Sequence, residues 1–227
     1  MENLALVFLI SYIIGSIPTS IIATKLSNAG DIRKFGSGNA GGTNVLRMLG
    51  WKIGLAVILF DLFKGVIASY YVPQLFWDPN PLPFHNATPF ADYTVVQIIC
   101  GIGAVSGHIW TLFAGFKGGK GVATGAGMVL GLAPVEFAVA MTVFALVFLA
   151  SRYVSLGSIS AALAIPITMF LRENVFLVDI RGYHTLVYFA IGVSLLIVFT
   201  HRENIKRLLA GTESKLTHFK GAKKTQS

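Results

Sequence analysis

Four short polar stretches interrupt an otherwise apolar chain of 227 residues, and their residue types suit anion binding. The first, GSGNAGGTNVLR over 36–47, mixes glycines with neutral donors and a guanidinium. Glycines accept positive φ and let successive backbone N–H groups form a concave nest. Ser37, Asn39, Thr43 and Asn44 add donors around Gly38, and Arg47 offers a fork that matches phosphate. Gly36, Gly38 and Gly41 spell G-x-G-x-x-G, but no strand precedes them and no βαβ unit follows, so a dinucleotide fold is not indicated. A flexible linker is the plainer reading, yet linkers seldom need so many amides and an arginine.

The second stretch is FKGGKGVAT over 116–124, preceded by Gly107 and His108. Ala114 stands where a Walker A loop needs its first glycine, so the nucleotide motif is absent. Lys117 and Lys120 flank Gly118 and Gly119, Gly121 follows, and a helix is expected from about Val122. Unpaired N–H groups at such a helix start, with its positive dipole end, favour an anion. The third stretch, RYVSLGS over 152–158, offers Ser155 and Ser158 as pocket-lining hydroxyls or as ordinary helix-capping and backbone-bonded serines. The fourth is HRENI over 201–205. His201 and Asn204, three apart, share a helical face, while Glu203 lies on another azimuth and pairs with basic neighbours. Asp61 and Lys64 are also three apart, inside an apolar run where each costs roughly 2.5–3.5 kcal/mol on insertion scales. They must face the interior, either neutralising each other or lining a substrate pocket. His108, near the end of another apolar helix, is by itself either a satisfied polar residue or a further pocket-lining one.

The elements that carry these residues follow from composition. Hydrophobic residues make up 54% of the chain, charged ones 12%, and the mean hydropathy is +0.70. A soluble domain carries roughly 25% charged residues, so the chain reads as an all-α polytopic membrane protein. Apolar spans are expected at 4–23, 53–72, 93–113, 154–171 and 183–200. The run 122–150 would reach about 44 Å as one helix, too long for a bilayer core. Pro134 divides it into 122–132 and 135–150. Seven crossings with the N-terminus outside place all but three of the 18 Lys and Arg on the cytoplasmic side. Glu2 in place of a basic leader suggests that the first span is retained. The segment 73–92 is expected to be an external proline-rich loop, 1–210 a single membrane domain, and 211–227 a basic cytoplasmic tail. The lone Cys100 offers no disulfide, and no His-Cys-carboxylate cluster suggests a metal. On a chain of this kind the net charge of +8 marks the cytoplasmic side and its anionic lipids rather than nucleic acid.

With this topology all four stretches lie on the cytoplasmic face, which suits an amphiphile with its phosphate at the surface and its acyl chain among helices. A transporter or channel for a phosphorylated anion would use the same cations. It would also need polar residues along a full membrane path, and the external ends lack them.

Taken in order, GSGNAGGTNVLR, FKGGKGVAT, RYVSLGS and HRENI, with DLFKG over 61–65, resemble the bacterial acyl-phosphate glycerol-3-phosphate acyltransferases over nearly the whole chain. The resemblance implies an inner-membrane enzyme that moves an acyl group from acyl phosphate to the 1-hydroxyl of glycerol 3-phosphate. Lysophosphatidic acid and phosphate would be released as the first step of phospholipid synthesis, without a cofactor. The enzyme that supplies acyl phosphate becomes a candidate partner. By the same resemblance Ser37, Arg47, His201 and Asn204 serve catalysis, residues 117–121 bind a substrate phosphate, and Glu203 is structural. No base neighbours Ser37 in sequence, which favours a donor over a nucleophile. The proton acceptor is left open between His201 and a substrate phosphate oxygen. Labelling from either aqueous compartment should find Arg47, Lys120 and Asn204 on one side of the membrane; opposite sides would dismantle this reading.

Overall fold

The computed structural model describes residues 2–77, 90–213 and 215. Most of the proline-rich loop and of the basic tail lies outside these residues. The described chain is helical, and it divides into two compact units. Of the described residues, the first holds 2–77 and 95–132, and the second 90–94, 133–213 and 215.

The first unit is built from α1 (Glu2–Gly15), α2 (Thr19–Leu26), α3 (Gly42–Leu49), α4 (Trp51–Val66), α5 (Val72–Trp77), most of α6 (Asp92–Ile109) and α7 (Val122–Leu132). The span expected over 4–23 is broken: α1 ends at Gly15 and α2 starts at Thr19. Pro18 lacks the N–H that would continue the ladder, so the chain leaves the helix for three residues. Non-helical backbone at membrane depth persists only against protein or a wet cavity. Here Thr111 Oγ1 donates to the Ser16 carbonyl and Lys64 Nζ to that of Ile17 at 3.1 Å. The span from Trp51 also runs on, through a wide π turn at Ile67–Tyr71 just ahead of Pro73, to Phe76.

Close helix approach in this unit depends on missing side chains. A Cβ on Gly65 would overlap the Thr124 carbonyl, and one on Gly127 would overlap that of Leu62, so α4 and α7 meet backbone to backbone. Ser69 Oγ spans the same seam, donating to Gly65 O at 2.9 Å and to Met128 O at 3.3 Å. Val7, Val72, Val96 and Cys100 form one buried cluster of this unit, and Ile21, Ile32, Ala40, Val45 and Val57 form another.

The second unit contains α8 (Pro134–Ser151), α9 (Val154–Phe170), α10 (Tyr183–Thr200) and α11 (Arg202–Leu209). The break expected at Pro134 is present: Ala133 (φ −149°, ψ 72°) leaves the helical conformation and the proline opens α8, where its missing N–H costs nothing. Ser194 Oγ on α10 donates to Ala162 O on α9 at 2.6 Å. The buried Glu136 on α8 pairs with Arg172 at 2.5 Å. Among the described residues six helices are long and apolar enough to cross a membrane, and Val122–Leu132 is a shorter apolar helix. Replacing Gly127 with Leu should destabilise the protein by about 1–3 kcal/mol through overpacking of α7 on α4. An unchanged thermal midpoint in detergent would show that the two helices do not meet this closely.

Candidate functional site

In the first unit, the break between α1 and α2 faces both glycine-rich loops. Residues 17–21, Ala40, His108, Thr111, Gly118 and Gly119 line one small cavity. The structure therefore brings the first two sequence stretches together. Arg33 ties them near their starts, chelating Asp31 and donating from Nη1 to Ala114 O at 3.0 Å. That contact holds the Asp31 carboxyl down to about 2, chiefly through the guanidinium hydrogen bonds. Gly119 is buried, and a Cβ there would overlap His108 Nε2 and crowd Ala40 O. Only glycine lets the second loop close this far.

Polar groups of this unit fall into two sets. One set is spent on the fold. The buried Asn44 amide donates to the carbonyls of Phe35 (2.8 Å), Asn39 (3.1 Å) and Ile32 (3.2 Å), while its oxygen accepts from Ser37 N at 3.3 Å. Asn44 thus holds the first loop in shape from within. Likewise, Gly118 N–H donates to Ile109 O and Gly119 N–H to His108 O, both at 3.0 Å. These amides finish α6, so the cradle of free glycine N–H groups expected at 118–119 is committed to the helix end. The other set faces outward. Ser37, Thr43, Arg47, Lys117 and Lys120 are exposed, and their side chains form no hydrogen bond or ion pair with another described residue. Gly38 is exposed as well and Asn39 is partly so, while Gly121 closes the second loop just ahead of α7. Lys117 and Lys120, just ahead of the start of α7, and Arg47, in the last turn of α3, have no carboxylate partner among the described residues, which suits each of them to an anion.

Beneath the cavity lies the pair seen in sequence. Asp61 is 1% exposed and Lys64 5%, with Lys64 Nζ 2.8 Å from Asp61 Oδ1. The same oxygen accepts from Thr19 Oγ1 at 2.6 Å and lies 3.5 Å from His108 Nδ1. Thr19 carried no sequence signal beyond being the first polar residue after Pro18.

The second unit holds the other two stretches. Ser158 Oγ bonds back to Val154 O at 2.9 Å, the ordinary helix-serine arrangement. Ser155, by contrast, donates to Glu213 Oε1 at 2.7 Å, as does Asn204 Nδ2 at 2.8 Å, while Arg207 Nε donates to Oε2 at 2.6 Å. Gly211 (φ +69°) and the Thr212 N–H to Arg207 O bond of 2.8 Å turn the chain back over α11 and deliver this carboxylate. The buttress of this region is Glu213, whereas Glu203 is solvent-facing, 3.1 Å from Lys206 Nζ and 4.0 Å from Arg202 Nε. Sequence reasoning passed over Glu213, although a glycine two residues after a basic helix was a readable signal for a returning chain. His201, between α10 and α11, has Nδ1 2.8 Å from Ile197 O. A carbonyl can only accept, so Nδ1 is the donor, and in the neutral ring the lone pair then belongs to Nε2. Among the described residues no group of three or more His, Cys, Asp or Glu could hold a metal ion.

The Asn204 amide, then the Ser155 hydroxyl and the Arg207 guanidinium, hold the Glu213 carboxyl at about 2, below its ordinary 4.5. A depressed carboxyl stabilises the fold above its ordinary value and loses that contribution as pH falls toward 2. Carbon-13 titration of Glu213 should give that low midpoint, and Asn204→Ala should move it toward 4.5. A midpoint near 4.5 in the unaltered protein would mean that the carboxylate is not held by these donors.

Residues 5–211 match the family described as glycerol-3-phosphate acyltransferase. The glycerol-3-phosphate acyltransferase of Chlorobium luteolum is 45% identical over 98% of this chain and 100% of its own length. That of Chlorobaculum tepidum is 48% identical over 93% and 95%. Two crystal structures of PlsY (YgiH), an integral membrane glycerol 3-phosphate acyltransferase, also resemble the chain. The glycerol 3-phosphate form has a TM-score of 0.71 at 34% identity, covering 95% of this chain and 96% of that one. The lysophosphatidic acid form gives 0.70 at 33%, with the same coverage. These matches favour an enzyme over a transporter. Helical spans, the order of the polar stretches and similarity along the whole length agree, and the chain belongs to the glycerol-3-phosphate acyltransferase family.

Proposed function

We propose that this acyltransferase takes its acyl group from acyl phosphate and works at the cytoplasmic face of a bacterial inner membrane, with seven crossings and the N-terminus outside. The observation that carries the site assignment is the outward-facing set Ser37, Thr43, Arg47, Lys117 and Lys120. Their side chains are left uncommitted, and Lys117 and Lys120 flank the two glycines, Gly118 and Gly119, that form one wall of the cavity. Both substrates are phosphate-bearing anions, and charge-assisted donors at a helix start are suited to them.

Acyl phosphate is a mixed anhydride with a good leaving group, so no covalent enzyme intermediate is needed. The 1-hydroxyl of glycerol 3-phosphate attacks the acyl carbon, the carbon–oxygen ester bond forms, and the acyl–phosphate bond breaks. Inorganic phosphate leaves, and the hydroxyl proton passes to a phosphate oxygen or to His201 Nε2. Lys117, Lys120 and Arg47 hold phosphate charge, Ser37, Asn39 and Thr43 donate to it, and Asn44 shapes the loop that presents them. Asn204 and Ser155 serve activity through the geometry that Glu213 gives them. Holding two reactants in line is worth about 7–11 kcal/mol in well-oriented reactions, enough to make positioning the main contribution.

Purified protein supplied with acyl phosphate and glycerol 3-phosphate should release phosphate and form lysophosphatidic acid in equal amounts. Product formation from an acyl thioester but not from acyl phosphate would overturn the donor assignment. Lys120→Ala should raise KM for a phosphate-bearing substrate on the order of 10-fold or more, as expected for one lost charge-assisted hydrogen bond. His201→Ala with near-normal turnover across pH would leave the substrate phosphate as the proton acceptor.

A further inference from the structure

The first unit contains a buried ionic cluster to which the reaction above gives no task. Asp61 Oδ1 takes Lys64 Nζ at 2.8 Å and Thr19 Oγ1 at 2.6 Å, and stands 3.5 Å from His108 Nδ1. Lys64 also donates to Ile17 O at 3.1 Å. If the pair served only to neutralise itself, one carboxylate and one ammonium on adjacent turns of α4 would suffice. Instead every further contact reaches a residue that lines the cavity: Ile17 and Thr19 at the break in the first span, and His108. The His108 ring in turn sets how far the second loop can approach, because its Nε2 occupies the space a side chain at position 119 would need. One oxygen thereby fixes the break and the floor of the loop together.

We propose that Asp61 is a positioning residue for acyl transfer. Through Thr19, Lys64 and His108 it holds the cavity wall against which the Gly118–Gly119 loop closes. This rests on reading that cavity, with its outward cations, as a phosphate-binding site. Asp61 does not touch the reacting atoms. It shapes binding that is alike in ground and transition states, so its loss falls mainly on KM.

The test uses the full-length protein with both charges removed together, Asp61→Leu with Lys64→Met, which leaves no unpaired buried ion. Expected are a thermal midpoint close to the unaltered protein and a KM for a phosphate-bearing substrate raised on the order of 10-fold, with kcat little changed. A folded double variant with unaltered kinetics would show a purely structural pair and overturn the proposal. Should the double variant fail to fold, Thr19→Val decides. It removes one donor to the same oxygen without changing charge, and a raised KM supports the proposal while an unaltered KM refutes it. Lys120→Ala separates the two levels of failure. An unaltered KM there removes the cavity reading and this proposal together, whereas a raised KM there beside normal kinetics in the double variant removes this proposal alone.

Discussion

A single carboxylate oxygen buried among helices governs the first unit. Asp61 Oδ1 gathers an ammonium, a hydroxyl and an imidazole from three separate segments of the chain. Placing such a group in an apolar surround is costly, and breaking a buried pair by removing one partner typically costs about 3–5 kcal/mol. The arrangement persists because it satisfies the polar backbone that Pro18 exposes. A continuous first helix would need no such partner and would leave no opening beside the glycine-rich loops.

From that constraint follows the separation of polar groups by task. Asn44, the N–H groups of Gly118 and Gly119, and the Arg33–Asp31 contact are internal braces, each spent on a carbonyl or carboxylate of the same unit. Ser37, Thr43, Arg47, Lys117 and Lys120 are left to the solvent side. A loop whose own donors shape it presents its remaining donors with little reorganisation, which is how preorganised binding differs from a flexible basic patch. The second unit follows the same logic with the opposite sign. There a carboxylate, Glu213, collects Ser155, Asn204 and Arg207, donors that favour its ionised form.

Sequence patterning made the apolar spans legible because hydropathy and proline placement act locally. The split at Pro134 and the helix start at Val122 both appear where charge and composition put them. The break at Ser16–Pro18 was less visible, since hydropathy runs smoothly across it and only the proline marks it. Residue types identified the anion-binding stretches, but not which of their donors are free. Whether Asn44 or a glycine N–H points inward depends on carbonyls up to 12 residues away in the chain, and no local rule supplies that. Glu213 was missed for a related reason: its partners come from α9 and α11, and the pairing exists only once Gly211 reverses the chain.

The most direct test of this account is a structure of the protein determined with inorganic phosphate or glycerol 3-phosphate bound. Phosphate oxygens should lie within hydrogen-bonding distance of Lys120 and the first turn of α7, with Asn44 and the Gly118 and Gly119 N–H groups keeping their present partners. Phosphate seated away from both glycine-rich loops, or held by Asn44 after the first loop unfolds, would contradict it.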